Sequence, residues 1–293
     1  MSATQSPNQL VTAELRRWIV AQAESGCRPA DVLAAMTASG WDEAVALEAL
    51  EQTLLQRLEE RGPGAVQPLE MLAPAVVVPE PAIGGLPSVT LADGHTVRVL
   101  ATLRQPRVVV FGNLLSDAEC DALMALARPR LLRSETVDNA TGGSEINAAR
   151  TSEGMFFERG EFGLVTQLEA RIAELLRWPV DHGEGLQILR YGPGGEYRPH
   201  HDYFDLAHPG STHILKRGGQ RVATLVIYLN SPAGGGATTF PDVGLEVAPM
   251  RGNAVFFSYE RAHPSTQTLH GGAPVTAGEK WVATKWLREG VFR

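Results

Sequence analysis

A histidine and an aspartate two positions apart are the first residues in this sequence whose types and spacing could carry chemistry. They are His200 and Asp202, within the segment Arg198-Pro-His-His-Asp-Tyr-Phe. Alternate residues of a β-strand point to the same side, so both side chains can reach one ion while His201 faces away. Together with a distant second imidazole they would form the facial triad typical of non-haem iron(II) sites, which leaves coordination positions open. A pattern as short as His-x-Asp also occurs by chance in many proteins, so the segment is a candidate iron site that depends on the residues around it.

Several histidines further along the chain could complete such a site. They are His208, His213, His263 and His270. The first two lie in a polar stretch with no flanking strand, and the third precedes a proline in another polar stretch. His270 ends a short run just before two glycines and a terminal strand, so we predict that His270 is the third ligand.

Lys280 follows His270 by ten positions, at the start of an apolar stretch. A single lysine is ordinarily a solvated surface charge. A dicarboxylic co-substrate, however, needs a buried cation at its far end, because a desolvated carboxylate must be paired. The apolar neighbours of Lys280 and its closeness to the predicted ligand favour a side chain that points inwards.

Three segments of different composition must position these residues. Residues 1–61 carry apolar positions at helical spacing and predict a small helical module. Residues 62–87 are rich in proline and glycine, which is typical of an extended linker. Residues 88–293 begin with a hairpin over Val89–Leu103, turning at Asp93-Gly94, and form the predicted catalytic domain.

The catalytic segment combines early helices with many short strands. Helices are predicted from Ser116 to Arg128 and from Glu161 to Trp178. Short apolar runs separated by glycine and proline follow, at Leu186–Tyr191, Val222–Leu229, Leu245–Val247, Ala254–Phe257 and Trp281–Leu287. Such runs predict a fold that is mainly β with flanking helices, an α+β arrangement built on a β-sandwich or jelly roll.

Composition narrows the classes of partner and compartment. The chain has 26 basic and 33 acidic side chains, so nucleic acid and anionic membranes are poor default partners. Cys27 and Cys120 are too few and too far apart for a disulfide framework, which fits a reducing cytoplasm. The first residues lack a secretory signal and no apolar run is long enough for a membrane helix. We expect a soluble cytoplasmic protein.

Several motifs in a fixed order resemble the prolyl 4-hydroxylase branch of the iron(II)- and 2-oxoglutarate-dependent dioxygenases. They are Asn113-Leu-Leu-Ser-Asp-Ala-Glu-Cys, Arg150-Thr-Ser-Glu-Gly-Met, Tyr191-Gly-Pro-Gly-Gly-Glu-Tyr, Pro199-His-His-Asp, Gly218-Gly-Gln-Arg-Val-Ala-Thr, Gly235-Gly-Ala-Thr-Thr-Phe-Pro, Leu269-His and Gly278-Glu-Lys-Trp. The resemblance spans roughly Pro106 to Arg288 and implies a double-stranded β-helix, or jelly roll. Ala237 stands where the family commonly has glutamate, which leaves details of that loop open.

The resemblance also implies roles for individual residues. It implies that His200, Asp202 and His270 hold the iron and that Lys280 pairs with the distal carboxylate of 2-oxoglutarate. Further residues that it places near the co-substrate or the substrate are Tyr191, Thr238 and Trp286. Thr239 is an alternative to Thr238, and a core position is as compatible with Trp286 as a place beside the substrate.

The resemblance implies the reaction as well. It implies hydroxylation of a prolyl residue at the 4-position, with iron(II), 2-oxoglutarate and dioxygen as cofactors, ascorbate as reductant, and succinate and carbon dioxide as products. Alternatives are a hydroxylase of a free amino acid or small natural product, and a non-catalytic metal-binding or oxygen-sensing jelly roll. Polar, glycine-bearing loops at Tyr203–Gly219 and Asp138–Ser152 predict where a peptide binds. Arg150 is a candidate contact there, or a member of a surface ion pair.

The N-terminal module resembles the first two helices of a ubiquitin-associated-like domain, through Leu33, Met36, Gly40-Trp41, Ala44 and Ala49-Leu50. This resemblance implies a docking module that recruits the protein substrate. The alternative is a bundle that packs on the catalytic domain or mediates formation of a homodimer.

Overall fold

The computed structural model describes most of the chain in two separate compact units. The described residues are 9, 11–24, 29–60, 75–134, 136–137, 144–145, 151–206, 208 and 210–293. The two units are Met1–Ala73 and Pro74–Arg293. In the described part of the chain, no helix combines the length and apolar character required to cross a membrane.

The first unit contains three helices, α1 (Ala13–Glu24), α2 (Pro29–Ala38) and α3 (Glu43–Glu60). Asp42 caps the third, because its Oδ1 accepts a hydrogen bond from the backbone N–H of Ala44 at 3.0 Å. Apolar side chains from all three helices form one buried cluster: Ile19, Val32, Met36, Ala46, Ala49 and Leu50. The apolar positions at helical spacing thus become the core of a small bundle.

The described end of the proline-rich segment, residues 75–87, lies in the second unit, whereas the sequence pattern placed it in a linker. The backbone N–H of Val76 donates to the Glu260 carbonyl at 3.0 Å, and that of Ala82 donates to the Leu175 carbonyl at 2.8 Å. An extended segment with few side-chain donors is held here by main-chain hydrogen bonds to residues distant in sequence.

The described residues of the second unit form mainly strands, together with three α-helices. The strands are β1 (Ser88–Thr90), β2 (Thr96–Leu103), β3 (Arg107–Gly112), β4 (Leu132–Arg133), β5 (Thr136–Val137), β6 (Ser144–Glu145), β7 (Glu153–Phe157), β8 (Leu186–Tyr191), β9 (Tyr197–His200), β10 (Arg221–Tyr228), β11 (Gly234–Gly235), β12 (Thr238–Phe240), β13 (Leu245–Val247), β14 (Ala254–Ser258), β15 (His270–Gly272), β16 (Val275–Ala277) and β17 (Lys280–Arg288). The helices are α4 (Asp117–Ala127), α5 (Gly163–Leu176) and α6 (Ser211–Ile214).

Two antiparallel sheets carry the architecture. The larger has nine strands in the order β1-β2-β3-β14-β10-β17-β8-β7-β4, and the smaller has four in the order β13-β12-β15-β9. From β8 onward the chain alternates between the sheets, with β8, β10, β14 and β17 in the larger and β9, β12, β13 and β15 in the smaller. This alternation is that of a jelly roll, so the predicted fold class is confirmed.

The larger sheet buries both of its faces, and β17 shows how. Trp281 and Ala283 belong to a core cluster that includes Leu168 of α5. Val282, which points the other way, belongs to a second cluster with Phe240 of the smaller sheet. Because alternate residues share a face, the even-numbered residues of β17, from Lys280 to Trp286, point between the two sheets. This inner face carries the candidate site.

A buried ion pair joins the outer face of the larger sheet to α5. Lys285 Nζ lies 2.5 Å from Glu169 Oε1, and the two side chains are 2% and 3% exposed. Lys285→Met would leave the Glu169 carboxylate buried without a cation, and we expect it to lower the free energy of unfolding by about 3–5 kcal/mol. Urea unfolding followed by tryptophan fluorescence measures the change. The double variant Lys285→Met, Glu169→Gln should recover much of the loss. An equal loss in both variants would contradict this account.

Candidate active site

Strand pairing and a bend bring His200, Asp202 and His270 together. His270 on β15 lies directly opposite His200 on β9, and the two ring centroids are 4.4 Å apart. Asp202 Oδ1 is 3.6 Å from His200 Nε2, and Asp202 Oδ2 is 3.4 Å from His270 Nε2. One ligand atom from each residue lies within 4.8 Å of the others, and the described residues contain no second group of this kind.

Asp202 reaches this group in a way that differs from the prediction. The sequence pattern placed His200 and Asp202 on one strand, but β9 ends at His200 and Asp202 lies in the bend that follows. Thr224 Oγ1 donates to Asp202 Oδ2 at 2.7 Å, and Arg221 donates to the Asp202 main-chain carbonyl at 3.4 Å. The convergence of the two side chains therefore depends on hydrogen bonds from β10 rather than on strand periodicity alone.

The two histidines present the correct nitrogen for a metal. His200 Nδ1 lies 2.8 Å from the Arg198 carbonyl oxygen, and His270 Nδ1 lies 3.0 Å from that of Thr268. A carbonyl only accepts, so each Nδ1 donates its proton there and each Nε2 faces Asp202 instead. Burial and the neighbouring His270 lower the pKa of His200, which favours its neutral form. Two imidazoles and a carboxylate are a donor set that suits iron(II).

The carboxylate of Asp202 is held in its charged form. Burial raises its pKa, but the facing His270 and His200 more than offset this, and the pKa lies well below its ordinary value. An ionised carboxylate is the form that a metal ion binds. Asp202 therefore carries its negative charge at neutral pH, which favours binding of a cation.

The rival histidines lie elsewhere. His208 Nε2 is 3.8 Å from Asp205 Oδ2, and His263 Nδ1 accepts from the backbone N–H of Ser265 at 3.1 Å. His213 lies in α6, a short helix within the stretch that the sequence pattern assigned to a polar loop. This helix is formed by local main-chain hydrogen bonds. It could not be predicted from the sequence, because a short polar helix has no periodic pattern of apolar residues.

Lys280 is a buried cation on the inner face of the larger sheet. It begins β17 opposite Tyr191 on β8, and it is 5% exposed. Its Nζ lies 5.7 Å from the ring centroid of Tyr191 and 5.8 Å from that of Tyr228. Burial lowers its pKa to about 8, and no carboxylate of the described residues opposes that shift. A buried ammonium between aromatic rings, with no anion among the described residues paired to it, fits a ligand carboxylate.

Tyr228 is a member of the site that sequence reasoning missed. Its hydroxyl donates to Thr238 Oγ1 at 2.8 Å, which places Thr238, 4% exposed, beside Lys280. Thr239 instead points towards the Gly271 carbonyl, 3.5 Å from its Oγ1. The signal for Tyr228 was present, since it lies four residues after Thr224 on the same face of a predicted buried strand.

Trp286 and Arg221 form a second group on the inner face. Trp286 lies opposite Thr224 in the strand register, is 7% exposed, and has the Arg221 guanidinium 4.0 Å from its ring centroid. Glu184 accepts from Arg221 at 2.7 Å and 2.9 Å and from Arg288 at 2.7 Å. Within the described residues, the buried indole N–H of Trp286 has no hydrogen-bond acceptor. A buried donor of this kind is available to a ligand.

Most of the predicted substrate-binding segment Asp138–Ser152 lies outside the described residues, and Arg150 lies there too. Its role stays a prediction. The described end of the segment is fixed to the strand region before β9. Thr151 N–H donates to the Glu196 carbonyl at 3.3 Å, and Glu196 N–H donates to Thr151 Oγ1 at 2.9 Å.

Comparisons with known proteins agree with this geometry. Residues 186–288 match the 2OG-Fe(II) oxygenase superfamily. Prolyl 4-hydroxylase 5 of Arabidopsis thaliana is 39% identical over 210 residues, which cover 64% of this chain and 70% of that protein. Prolyl 4-hydroxylase 1 of the same plant is 41% identical over 201 residues, covering 63% and 69%.

A solved structure is also similar, that of the viral collagen prolyl hydroxylase from Paramecium Bursaria Chlorella virus-1 in its 2OG complex. It has 30% sequence identity and a TM-score of 0.48, and the match covers 62% of this chain and 95% of that one. The sequence relatives, each covered over more than two thirds of its length, show the family. This chain belongs to the prolyl 4-hydroxylases of the 2OG-Fe(II) oxygenase superfamily.

Proposed function

We propose that this protein hydroxylates prolyl residues of a peptide or protein at the 4-position, using iron(II), 2-oxoglutarate and dioxygen. The observation that carries the proposal is the placement of two histidines, one ionised aspartate and a buried lysine with no carboxylate partner among the described residues, all between the same two sheets. When bound, iron and 2-oxoglutarate would activate dioxygen, so that one of its oxygen atoms enters the substrate and the other enters succinate, with release of carbon dioxide.

His200, Asp202 and His270 would hold the iron. The two rings are fixed in orientation because rotation of either would break its Nδ1–H bond to a main-chain carbonyl. Three protein ligands would leave coordination positions for a 2-oxo acid and dioxygen. The residues therefore position the reactants, and the bound cofactors carry the chemistry.

Lys280 would bind the distal carboxylate of 2-oxoglutarate, with Tyr191 and Thr238 on either side. The fit is also steric, since a Cβ added at Gly236 would lie 3.1 Å from Lys280 Cδ. Glycine at that position leaves room for the extended lysine side chain. Tyr228 contributes by holding Thr238 through its hydroxyl.

Binding of 2-oxoglutarate should weaken as the pH rises through the pKa of Lys280. That pKa is about 8 in the protein without co-substrate. Below it the lysine already carries the charge that a carboxylate needs. Above it, binding must take up a proton, so the apparent Kd should rise by up to about tenfold per pH unit. Calorimetric titration of the metal-loaded protein between about pH 7 and about pH 9.5 measures this.

The matched variant for the pH experiment is Lys280→Arg, because arginine keeps its charge throughout this range. Its apparent Kd should stay nearly constant between the two pH limits. A wild-type Kd that does not change over the same interval would argue against a charge contact between Lys280 and 2-oxoglutarate.

Peptide binding is proposed to involve Trp286, Arg221 and the Tyr203–Gly219 segment. Trp286 offers a buried N–H that no described acceptor uses, and Arg221 lies against its ring. The relatives named above are prolyl 4-hydroxylases, which supports a proline-containing peptide or protein as the substrate. A hydroxylase of free amino acids is the alternative.

Succinate formation distinguishes the two substrate classes. Purified protein is incubated with iron(II), ascorbate and 2-oxoglutarate, with and without proline-rich peptides, free proline or other free amino acids. We expect peptides to stimulate succinate formation and to gain one oxygen atom by mass spectrometry. Stimulation by free amino acids, with none by any peptide, would overturn the peptide substrate.

Other properties stay proposals drawn from the sequence. We propose ascorbate as the reductant that maintains iron(II), and a cytoplasmic location without nucleic-acid or membrane partners. The helical module is proposed to recruit the protein substrate or to mediate a homodimer. A non-catalytic role for the jelly roll is disfavoured, because the chain keeps the three candidate ligands and Lys280 together.

A further inference from the structure

The carboxylate of Asp202 is held by a chain of two buried hydroxyl groups that has no part in the proposed function so far. Thr224 Oγ1 donates to Asp202 Oδ2 at 2.7 Å, and the same hydroxyl lies 3.0 Å from the Tyr259 hydroxyl. Thr224 is 0% exposed and Tyr259 is 1% exposed. No water can replace either contact without displacing packed side chains.

The direction of both hydrogen bonds follows from proton counting. An ionised carboxylate can only accept, so the single proton of the Thr224 hydroxyl points to Asp202. The Thr224 oxygen must then be the acceptor for Tyr259, which keeps its own proton at neutral pH. Each bond polarises the next, so the chain runs one way from Tyr259 through Thr224 to Asp202.

The two residues whose hydroxyl groups hold Asp202 belong to the larger sheet or directly follow one of its strands, whereas Asp202 does not. Tyr259 directly follows β14, and its backbone N–H donates to the Val222 carbonyl at 3.0 Å. Thr224 lies in the middle of β10, opposite Phe257 of β14. Asp202 lies in a bend after β9 and has no strand partner of its own. The orientation of its carboxylate must therefore be supplied from β10 and β14.

We propose that Tyr259 and Thr224 act as positioning residues, which hold the Asp202 carboxylate in the orientation that binds the metal and thereby set the metal affinity. The inference rests on the proposed iron site. Outer hydrogen-bond partners of metal ligands commonly change metal affinity about 10- to 100-fold when they are removed. Tyr259 reaches Asp202 through its hydrogen bond with Thr224, so its effect should depend on the Thr224 hydroxyl.

The first test measures binding of Co(II) in the absence of oxygen, by absorption and calorimetry, so that activity is not the readout. Thr224→Val keeps the β-branched shape but removes the donor, and we expect it to weaken Co(II) binding about 10- to 100-fold. Thr224→Ser keeps the hydroxyl and should bind within a few-fold of the wild type. Thr53→Val, at a threonine of α3 in the helical unit that is 4% exposed, is the matched control and should leave the affinity unchanged.

The second test is a double-mutant cycle. Tyr259→Phe should weaken Co(II) binding less than Thr224→Val does, and the double variant should bind no more weakly than Thr224→Val alone. Independent structural effects would add instead. Additive losses, or Co(II) binding by Thr224→Val equal to the wild type, would overturn the inference.

The outcomes for the inference and for the iron site are separable. If the His200→Ala variant binds Co(II) as tightly as the wild type, the proposed iron site is overturned, and the positioning role with it. If His200→Ala loses Co(II) binding but Thr224→Val binds Co(II) as tightly as the wild type, only the positioning role is overturned.

Discussion

Asp202→Ala is expected to lower peptide-stimulated succinate formation by at least about 100-fold. This exceeds the effect of removing a residue that only hydrogen-bonds to a metal ligand, which is about 10- to 100-fold. Asp202 supplies the only anionic donor of the proposed triad, and its carboxylate faces both histidine Nε2 atoms within 3.6 Å. Two neutral imidazoles alone would hold a divalent cation weakly and without the third facial contact. The initial rate of succinate formation at saturating iron(II) and 2-oxoglutarate measures the effect.

The matched control for this variant is Asp121→Ala, which removes a carboxylate of α4 whose side chain is 66% exposed. It should keep near wild-type activity. The Asp202→Ala protein should also lose Co(II) binding while keeping its unfolding temperature, because its packing is otherwise unchanged. Full activity in Asp202→Ala would remove Asp202 from the site.

Lys280→Met is expected to weaken 2-oxoglutarate binding by about two to three orders of magnitude. Loss of one partner from a buried charge pair costs about 2–5 kcal/mol, and each 1.4 kcal/mol is about tenfold in affinity. Methionine keeps the length and the apolar body of the lysine, so the β17 backbone and its pairing with Tyr191 should be maintained. Titration of the metal-loaded protein with 2-oxoglutarate measures the loss.

The selectivity of the site gives a sharper readout than the affinity alone. Wild-type protein should prefer 2-oxoglutarate strongly over a monocarboxylic 2-oxo acid such as 2-oxobutyrate, whereas Lys280→Met should lose most of that preference. Lys216→Met removes an exposed lysine from the segment after β9 and should change neither binding constant. A Lys280→Met protein that still prefers the dicarboxylate would show that the distal carboxylate binds elsewhere.

Much of the fold could be predicted because local patterns determine it. The hairpin turning at Asp93-Gly94 forms as β1 and β2, with Val89 opposite Val97. The helix start at Ser116 was predicted from its side chain, and the structure shows a capping box with Glu119. Apolar runs separated by stretches with glycine and proline became strands, among them β8, β10, β14 and β17 of the larger sheet. In each case the residues that decide the outcome are neighbours in sequence.

The details of the site could not be predicted in the same way, because they depend on register between strands. Thr224 meets Asp202 only through a hydrogen bond across 22 residues, and Tyr259 meets Thr224 across 35 residues. The bend at Asp202 is likewise imposed by contacts with Arg221 and Thr224 rather than by its own sequence. His270 could be ranked above its rivals, but its pairing with His200 needed the antiparallel register of β9 and β15.

The most direct test of the central claim is product analysis under isotopically labelled dioxygen. Wild-type protein, with iron(II), 2-oxoglutarate and a proline-rich peptide, should yield peptide 4-hydroxyproline with the label in its hydroxyl group, and one succinate per hydroxyl formed. The amino acid is identified by hydrolysis and chromatography against 3- and 4-hydroxyproline standards. Unlabelled peptide, or succinate formed without any hydroxyproline across a panel of proline-containing peptides, would contradict the assignment of this protein as a peptidyl-prolyl 4-hydroxylase.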